Sequence, residues 1–267
     1  MQIDMHYYGT YCLARSAGLT REAARVIANA TQFVDDNAEQ SSDASFCDVA
    51  ATTHHAPDLS GIDKDNQRQV WVPFHFLPGN EGEELAARLV CRKDSAIARE
   101  MCENHLQQFD KSYFLPLIGI MAHVYGDTFA HYGFFGVSSQ KNKQVNDPLE
   151  LQEDLDREIK DYILNKKALF GFEHILDSIK SKFAENLPDV AATLPDQSYF
   201  ERHFDYEDNK NSEWHKSPEV FLEFSEKIHN LFKRIADQHL NFSDPSAYIA
   251  WSELAPKVKS ILRVHGK

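Results

Sequence analysis

The sequence lacks the features that mark disulfide-stabilised, exported or membrane-spanning proteins. Its four cysteines form no CxxC pair, which in a chain of 267 residues indicates reduced thiols in a cytosolic protein. The opening residues, MQIDMHYYGT, contain no basic segment followed by an apolar one, so no signal peptide is predicted. No run of about 18 apolar residues occurs, and we therefore expect no stable membrane insertion. These absences predict a cytoplasmic protein, with export by a non-classical route left open.

Basic residues are also scarce. Lys and Arg number 28 against 41 Asp and Glu, which gives a formal net charge of −13. Such a surface repels nucleic acid duplexes and anionic membranes, so we expect a small partner. Histidine, in contrast, is abundant, with 13 residues. The histidines are therefore the first candidates for chemistry.

The hydrophobic pattern is mostly helical and predicts an all-α multi-helix bundle with room for one short hairpin. We expect a single helical domain over 1–267, with a metal-site half (1–136) and a helical remainder (137–267). Two irregular excursions, 38–81 and 187–216, are expected to wall a pocket, and the first contains an apolar run, VWVPFHFLPGN, that reads as extended. Helices are predicted over 4–17, from Thr20 as N-cap to about Asp36, and over 82–109, 113–132, 148–165, 167–186, 217–241 and 246–263.

The central stretch GIMAHVYGDTFAHYGFFG carries a ladder of polar groups through apolar surroundings. His123, Asp127 and His131 lie at i, i+4 and i+8, so a helix would project all three from one face. Imidazole and carboxylate groups are the ligands that suit Zn²⁺ and related ions. Because buried polar groups are costly unless compensated, the ladder predicts a metal site. The alternative is a buried hydrogen-bonded network without metal.

Further candidate ligands lie elsewhere in the first half of the chain. Asp35 and Asp36 lie at the C-terminus of a predicted helix, where acids oppose the helix dipole. We therefore expect the pair to supply one metal ligand and a general base. Asp189 and Asp196 lie in an irregular segment that could fold over a site. The later histidines, including His215 and His229, are in polar or mixed surroundings and are predicted to be surface or supporting groups. The first-half candidates are His6, Asp36 or Asp35, His54 or His55, and His75.

The order of these residues resembles the zinc-dependent phospholipase C and P1/S1 nuclease superfamily. MHYYGTYCLARSAG, QFVDD, VWVPFHFLPG and DTFAHYGFFG are also similar to an uncharacterised bacterial family with HYY, VDD, FHFLPG and DT[WF]AHxGFxG motifs. The resemblance implies an all-α fold and a zinc cluster that hydrolyses phosphate esters. It implies as ligands His6, Asp36 or Asp35, His54 or His55, His123, Asp127 and His131.

The chain departs from that superfamily in three places. His131 follows Asp127 by four residues, where the best-known members have six. No amino-terminal tryptophan and no clean later H-x-x-x-E/D pair are present, so one or two ions are as compatible with the sequence as three.

The leading functional hypothesis is a metal-dependent, zinc-using phosphoesterase that acts on a small phosphoester substrate through a metal-activated water. An HD-type phosphohydrolase is disfavoured because the sequence has no His-Asp dipeptide. A non-enzymatic helical protein with a structural or sensing metal site stays open, since sequence does not separate open from closed coordination.

Overall fold

A computed structural model describes residues 1–38, 50–53, 67–137, 150–151, 157, 196–203 and 214–264. The predicted all-α class is confirmed, because helices account for most of these residues. Short π-helical turns cover Asp4–Gly9 and Gln67–Trp71, and 3₁₀ turns cover Leu240–Phe242 and Pro245–Ala247. The α-helices in this part of the chain are α1 (Thr10–Ser16), α2 (Arg21–Asp36), α3 (Val72–Phe74), α4 (Leu85–Arg88), α5 (Ala96–Leu106), α6 (Phe114–Ala130), α7 (Ser217–Gln238) and α8 (Trp251–Leu262).

A small antiparallel sheet accompanies the helices. Its strands β1 (Glu150–Leu151), β2 (Glu201–His203) and β3 (His215–Lys216) lie in the order β1-β2-β3. Glu150 pairs with His203, and Glu201 pairs with Lys216. The helix predicted from 148 is wrong at its start, where β1 pairs with β2; nearly all of 152–186 lies outside the described residues.

The turn between α1 and α2 follows the sequence closely. Gly18 adopts a φ of 92°, which glycine accepts without the steric cost of a side chain, and it ends the first helix. Thr20 then caps α2, its hydroxyl oxygen accepting a hydrogen bond from the Ala23 N–H at 3.2 Å. The predicted boundaries of these two helices are therefore confirmed.

Three further predicted elements differ from the structure. The helix predicted over 246–263 starts only at Trp251, after the 3₁₀ turn Pro245–Ala247. The run around Pro73 is helical rather than extended, because proline in the first turn of α3 has no N–H to leave unpaired. The helix predicted over 82–109 is broken between α4 and α5. Asp94 adopts a φ of 49° in that break, and the Ser95 hydroxyl accepts from the Ala98 N–H to start α5 anew.

The core surrounds α6. Every residue from Met121 to Ala130 is buried, which is typical of a helix packed on all sides. It contacts α2 on one side and α5 and α7 on others. No helix in the described ranges is long and apolar enough to span a bilayer. The aromatic part of this core contains Phe114, Phe129, Phe221, Phe224 and Phe232.

Candidate metal centre

The polar ladder of α6 lies in the middle of the core, as predicted. His123 and Asp127 are 0% and 1% exposed, and His131 lies just past the helix end with its N–H donating to the Asp127 carbonyl oxygen at 2.8 Å. Because the helix turns once in 3.6 residues, His123 and Asp127 project from the same face. The polar residues of α6 that the sequence singled out are therefore buried in the core.

Helix α2 presents a second ladder to this face. Ile27, Thr31 and Asp35 lie at i, i+4 and i+8, and the Asp35 carboxylate lies 3.8 Å from His123 Nε2. Asp36 is rotated away by about 100° and lies exposed, where it accepts a hydrogen bond from Gln32. Of the two acids that the sequence left open, Asp35 joins the cluster and Asp36 does not.

The amino-terminal residues close one side of the cluster. The His6 ring stacks on His123 with ring centroids 4.0 Å apart, and its Nε2 lies 3.3 Å from Asp127 Oδ1. This Nε2 is buried without a hydrogen-bond partner in the described structure. The Met1 amino group lies 2.7 Å from Asp127 Oδ1 and 2.9 Å from Asp196 Oδ1.

His75 approaches from the opposite side. Its Nδ1 lies 3.1 Å from Asp127 Oδ2, and its Nε2 donates to the Thr52 carbonyl oxygen at 2.8 Å. The ring of Trp71 packs against it, and Phe76 contacts Trp71 and stacks on His131. Both excursions expected near the site thus contribute to it, the first through Thr52 and His75 and the second through Asp196.

Three histidines of the cluster each have one ring nitrogen bonded to a main-chain carbonyl oxygen. A carbonyl oxygen only accepts, so that nitrogen carries the single proton of each neutral ring. The other nitrogen then carries a lone pair, which is the arrangement that metal-bound histidines show. The three hydrogen bonds join His123 Nδ1 to Thr31 O at 2.9 Å, His75 Nε2 to Thr52 O at 2.8 Å, and His131 Nδ1 to His75 O at 2.8 Å.

The remaining lone pairs converge. His75 Nδ1 and His123 Nε2 face each other at 3.3 Å, and Asp127 Oδ2 lies 3.1 and 3.3 Å from them. On the other side, His131 Nε2 lies 3.0 Å from Asp196 Oδ1. Acceptors at such distances repel unless a cation lies among them. The donor set therefore fits a metal ion, with a proton as its competitor.

The ionisation of the carboxylates follows from their neighbours. Burial alone would raise the pKa of Asp127, but the Met1 amino group, His123 and His131 outweigh it and hold the pKa well below the ordinary value. The pKa of Asp196 is lowered in the same way by the Met1 amino group and His131. Burial raises the pKa of Asp35, and His123 offsets only part of that rise. Asp127 and Asp196 are therefore charged at neutral pH.

The histidines divide into two kinds. Burial, together with the neighbouring His123 ring and the Met1 amino group, holds the pKa of His6 well below its ordinary value, so this ring is neutral. Burial also lowers the pKa of His131, but Asp127 and Asp196 overcome this and raise it. In the metal-free protein the two carboxylates therefore favour a proton between His131 and Asp196.

Three groups of residues could each hold a metal ion, because within each group the ligand atoms lie within 4.8 Å of one another. Asp127 belongs to two groups and has one oxygen on each side of the cluster, so its carboxylate can bridge two ions. The donors are all imidazole nitrogen or carboxylate oxygen, a set that suits zinc and neighbouring divalent metals. The groups are His6, His123 and Asp127; Asp35, His75 and His123; and Asp127, His131 and Asp196.

Several sequence-based assignments need correction or fall elsewhere. His215 and His229 were expected to be surface or supporting groups; neither is at the surface, and the ring of His229 packs against Trp251 of α8. The apolar faces of α7 and α8 enclose it, which the polar sequence neighbours did not indicate. His54, His55 and Asp189 lie outside the described residues. Thr31, Thr52 and the Met1 amino group were missed, because main-chain atoms leave no signal in residue type.

Comparison with known proteins gives a family but no activity. A family model described as "Family of unknown function (DUF6765)" matches residues 1–267. Searches of curated proteins and of solved structures find no match. The function therefore has to be argued from the cluster.

Proposed function

Since the chain belongs to the family of unknown function DUF6765, its activity has to be inferred from its site, and we propose that it is a metal-dependent hydrolase of phosphate esters. The observation that carries the proposal is the convergence of lone pairs from His75, His123 and Asp127 at 3.1–3.3 Å. A site built to hold only hydrogen bonds would place a donor opposite each acceptor. Zinc is the ion that this donor set suits best.

The chain order of the ligands supports a phosphoesterase. A helix histidine, an aspartate at the end of the next helix, a loop histidine, H-x-x-G-D and a further histidine is the order in the phospholipase C and P1/S1 nuclease superfamily, which the sequence resembles. In this chain the positions correspond to His6, Asp35, a loop histidine that the resemblance assigns to His54 or His55, the His123–Asp127 pair and His131. We propose His75 as a further ligand, because it lies in the cluster.

Access to the cluster favours catalysis over a closed structural site. The side chain of Asp35 is 29% exposed, whereas that of Asp127 is 1% exposed. A substrate would therefore approach from the Asp35 side, while His6, His123 and Asp127 hold the cluster from below. Bound ions would lower the pKa of a water and stabilise charge on the leaving oxygen. Asp35, with its raised pKa, is placed to exchange a proton with that water.

The net charge of the chain limits the classes of substrate that the site would accept. With −13 on the whole chain, long polyanions are repelled, and a single phosphoester group on a small molecule fits better. The alternative is a structural or sensing metal site, which the deep burial of His123 and Asp127 favours. The two differ in whether the metal-loaded protein turns over a phosphoester.

The test combines metal analysis with a screen of phosphomonoesters and phosphodiesters. Wild-type protein prepared without chelator should carry one to three zinc or similar ions and hydrolyse at least one substrate. Asp127→Asn, which keeps side-chain volume but removes the bridging charge, should lower both metal content and hydrolysis by orders of magnitude. The matched control is Asp110→Asn, because Asp110 is an exposed acid that pairs with Lys111. It should change neither the metal content nor the rate of hydrolysis. Metal-loaded wild type that hydrolyses no ester would favour the structural alternative.

A further inference from the structure

Helices α2 and α6 touch through their backbones at one point. A Cβ atom at Gly119 would lie 2.4 Å from the Ile27 carbonyl oxygen and 2.6 Å from Ala30 Cβ, closer than real contacts allow. Glycine is therefore required here because a side chain would force the helices apart. The metal ligands of both helices follow this contact in sequence: His123 and Asp127 on α6, and Asp35 on α2.

Thr31 is the residue that joins the two helices at this contact. Its side chain is fully buried, and its hydroxyl proton is shared between the Gly119 carbonyl oxygen at 3.0 Å and the Ile27 carbonyl oxygen at 2.8 Å. Its own carbonyl oxygen accepts the Nδ1–H of His123 at 2.9 Å. One residue of α2 thus holds both the backbone and the ligand histidine of α6.

The two contacts converge on His123. In a regular α-helix the Gly119 carbonyl also accepts the N–H of His123, four residues later. The Thr31 hydroxyl therefore fixes the turn of α6 on which His123 is mounted, while the Thr31 carbonyl fixes the orientation of its ring. Asp35 lies one helical turn beyond Thr31 on the same face of α2. The distance of 3.8 Å between Asp35 and His123 Nε2 is consequently set at Thr31.

We propose that Thr31 is a positioning residue that holds His123 in register with Asp35, so that its hydroxyl controls the affinity and geometry of the metal centre without touching the metal. Residues that orient metal ligands through hydrogen bonds change metal affinity by about 10- to 100-fold when they are replaced. This inference rests on the proposed metal centre. A residue that only stabilised the fold would leave the geometry of a bound ion unchanged.

The test is a Co²⁺ titration of metal-free protein, followed by visible absorption, which reports ligand geometry as well as affinity. Thr31→Val removes the hydroxyl but keeps the branched shape and the carbonyl. It should weaken Co²⁺ binding at least about tenfold and change the absorption band. Thr31→Ser restores the hydroxyl and should return both toward wild type. If Thr31→Val does not fold by circular dichroism, Thr31→Ala replaces it.

The control is Thr128→Val on α6. Thr128 is equally buried and next to Asp127 in sequence, but its hydroxyl donates within its own helix, to the Tyr125 carbonyl oxygen at 2.7 Å. The Thr128→Val variant should be somewhat less stable than wild type and should keep the wild-type Co²⁺ spectrum. If Thr31→Val and Thr128→Val had equal effects, or if the Thr31→Val spectrum were unchanged, the positioning role of Thr31 would be overturned, but the metal centre would not. Wild type that binds no Co²⁺ would overturn the metal centre itself.

Discussion

At the scale of single residues, the site depends on ring nitrogens that are already bonded to carbonyl oxygens. His75, His123 and His131 each donate one N–H to the main chain, which fixes both the tautomer and the ring plane. The opposite nitrogens of His75 and His123 therefore face Asp127 as acceptors before any ion binds, whereas His131 Nε2 faces Asp196, where a proton competes with a metal ion. Pre-orientation of this kind lowers the entropic cost of metal binding.

The acidic pair at the end of α2 offers a matched test of this geometry. Asp35→Asn should lower metal affinity and any hydrolysis by at least about tenfold, because its carboxylate lies within 4 Å of the His6, His75 and His123 ring nitrogens. Asp36→Asn changes the same charge one residue away, on the exposed side of the helix, and should behave as wild type. The measurement is zinc affinity by chelator competition. An effect of Asp36→Asn equal to that of Asp35→Asn would contradict the assignment.

The proton on His131 predicts how metal binding depends on pH. The folded protein raises the pKa of His131 above its ordinary value of about 6.5 because Asp127 and Asp196 favour the charged ring. A metal ion needs the neutral ring, so binding must displace this proton. Apparent zinc affinity should therefore rise with pH until the raised pKa is passed and then level off.

Proton release is the direct measurement. Calorimetry of zinc binding in buffers of different ionisation enthalpy at pH 6 should show protons leaving the protein. His131→Gln, which has no such proton, should release fewer. Zinc binding with the same affinity at pH 6 and pH 8 would contradict the protonated state of His131.

At the scale of secondary structure elements, two ladders with a four-residue spacing face each other across the α2–α6 contact. The α6 ladder was predictable, because His123, Asp127 and His131 stand out as polar residues in an apolar helix. The α2 ladder was not, because Ile27, Thr31 and Asp35 are ordinary helix residues whose common face appears only once α6 packs against it. The choice between Asp35 and Asp36 likewise depends on helix rotation, which the sequence left open.

The sequence was least informative where the main chain makes the contact. The run around His75 alternates too little to separate strand from helix, and Pro73 is compatible with both a first helical turn and an extended edge. The partner of His75 is the Thr52 carbonyl, which any residue at 52 would supply. Burial of His229 also depends on tertiary packing by α8. Such features follow from the assembled fold rather than from residue types.

The break between α4 and α5 is held to α6 and α7 by one acid, which allows a prediction about stability. Asp94 accepts from the Tyr125 hydroxyl at 2.7 Å and pairs with Lys227 at 2.9 Å. Burial raises the pKa of Asp94, but these two partners outweigh it and lower the pKa. A lowered folded pKa means that the stabilisation is present above the unfolded pKa and is lost as pH falls through the folded pKa.

Asp94→Asn keeps a residue that tolerates the positive φ, removes the charge and replaces one acceptor oxygen by an NH2 donor. At pH 7 it should lower the free energy of unfolding by about 1 kcal/mol. The difference from wild type should start to shrink as pH falls below the ordinary Asp pKa of about 3.9, and it should be lost below the lowered pKa of folded Asp94. Urea unfolding at pH 7 and pH 3.5 measures both values. Glu223→Gln, which breaks a more exposed pair with Lys93, should have a smaller effect.

At the scale of the whole molecule, segments distant in sequence meet at the cluster. The cluster takes its atoms from five parts of the chain: Met1 and His6, the end of α2, residues 52 and 75, α6 with His131, and Asp196. Without ions, the buried charges of Asp127 and Asp196 are balanced among the described residues chiefly by the Met1 amino group and by His131. The two carboxylates and Asp35 raise the pKa of that amino group to about 11 against the lowering effect of burial. Buried charges balanced in this way cost free energy that bound cations would offset.

Metal removal should therefore destabilise the protein without unfolding it. The aromatic core between α6 and α7 contains none of the proposed ligand side chains and is large enough to keep the chain folded, unlike that of a small zinc-dependent domain. Zinc at 100 times its dissociation constant stabilises a native protein by about 2.7 kcal/mol. For a chain of this size, this corresponds to a rise in Tm of roughly 5–10 °C.

The measurement is thermal unfolding of wild type as purified, after chelator treatment, and after reloading with zinc. The chelated protein should unfold at a lower temperature with its helical circular dichroism spectrum retained, and zinc should restore the original Tm. Asp127→Asn should show no response to either treatment, because it lacks the charge that bridges the two sides of the cluster. Phosphoester hydrolysis should follow the same cycle of loss and recovery if the centre is catalytic, and a Tm that recovers in a protein with no activity at any stage would assign the ions a structural role. A wild-type Tm that neither chelator nor zinc changes would contradict the metal centre.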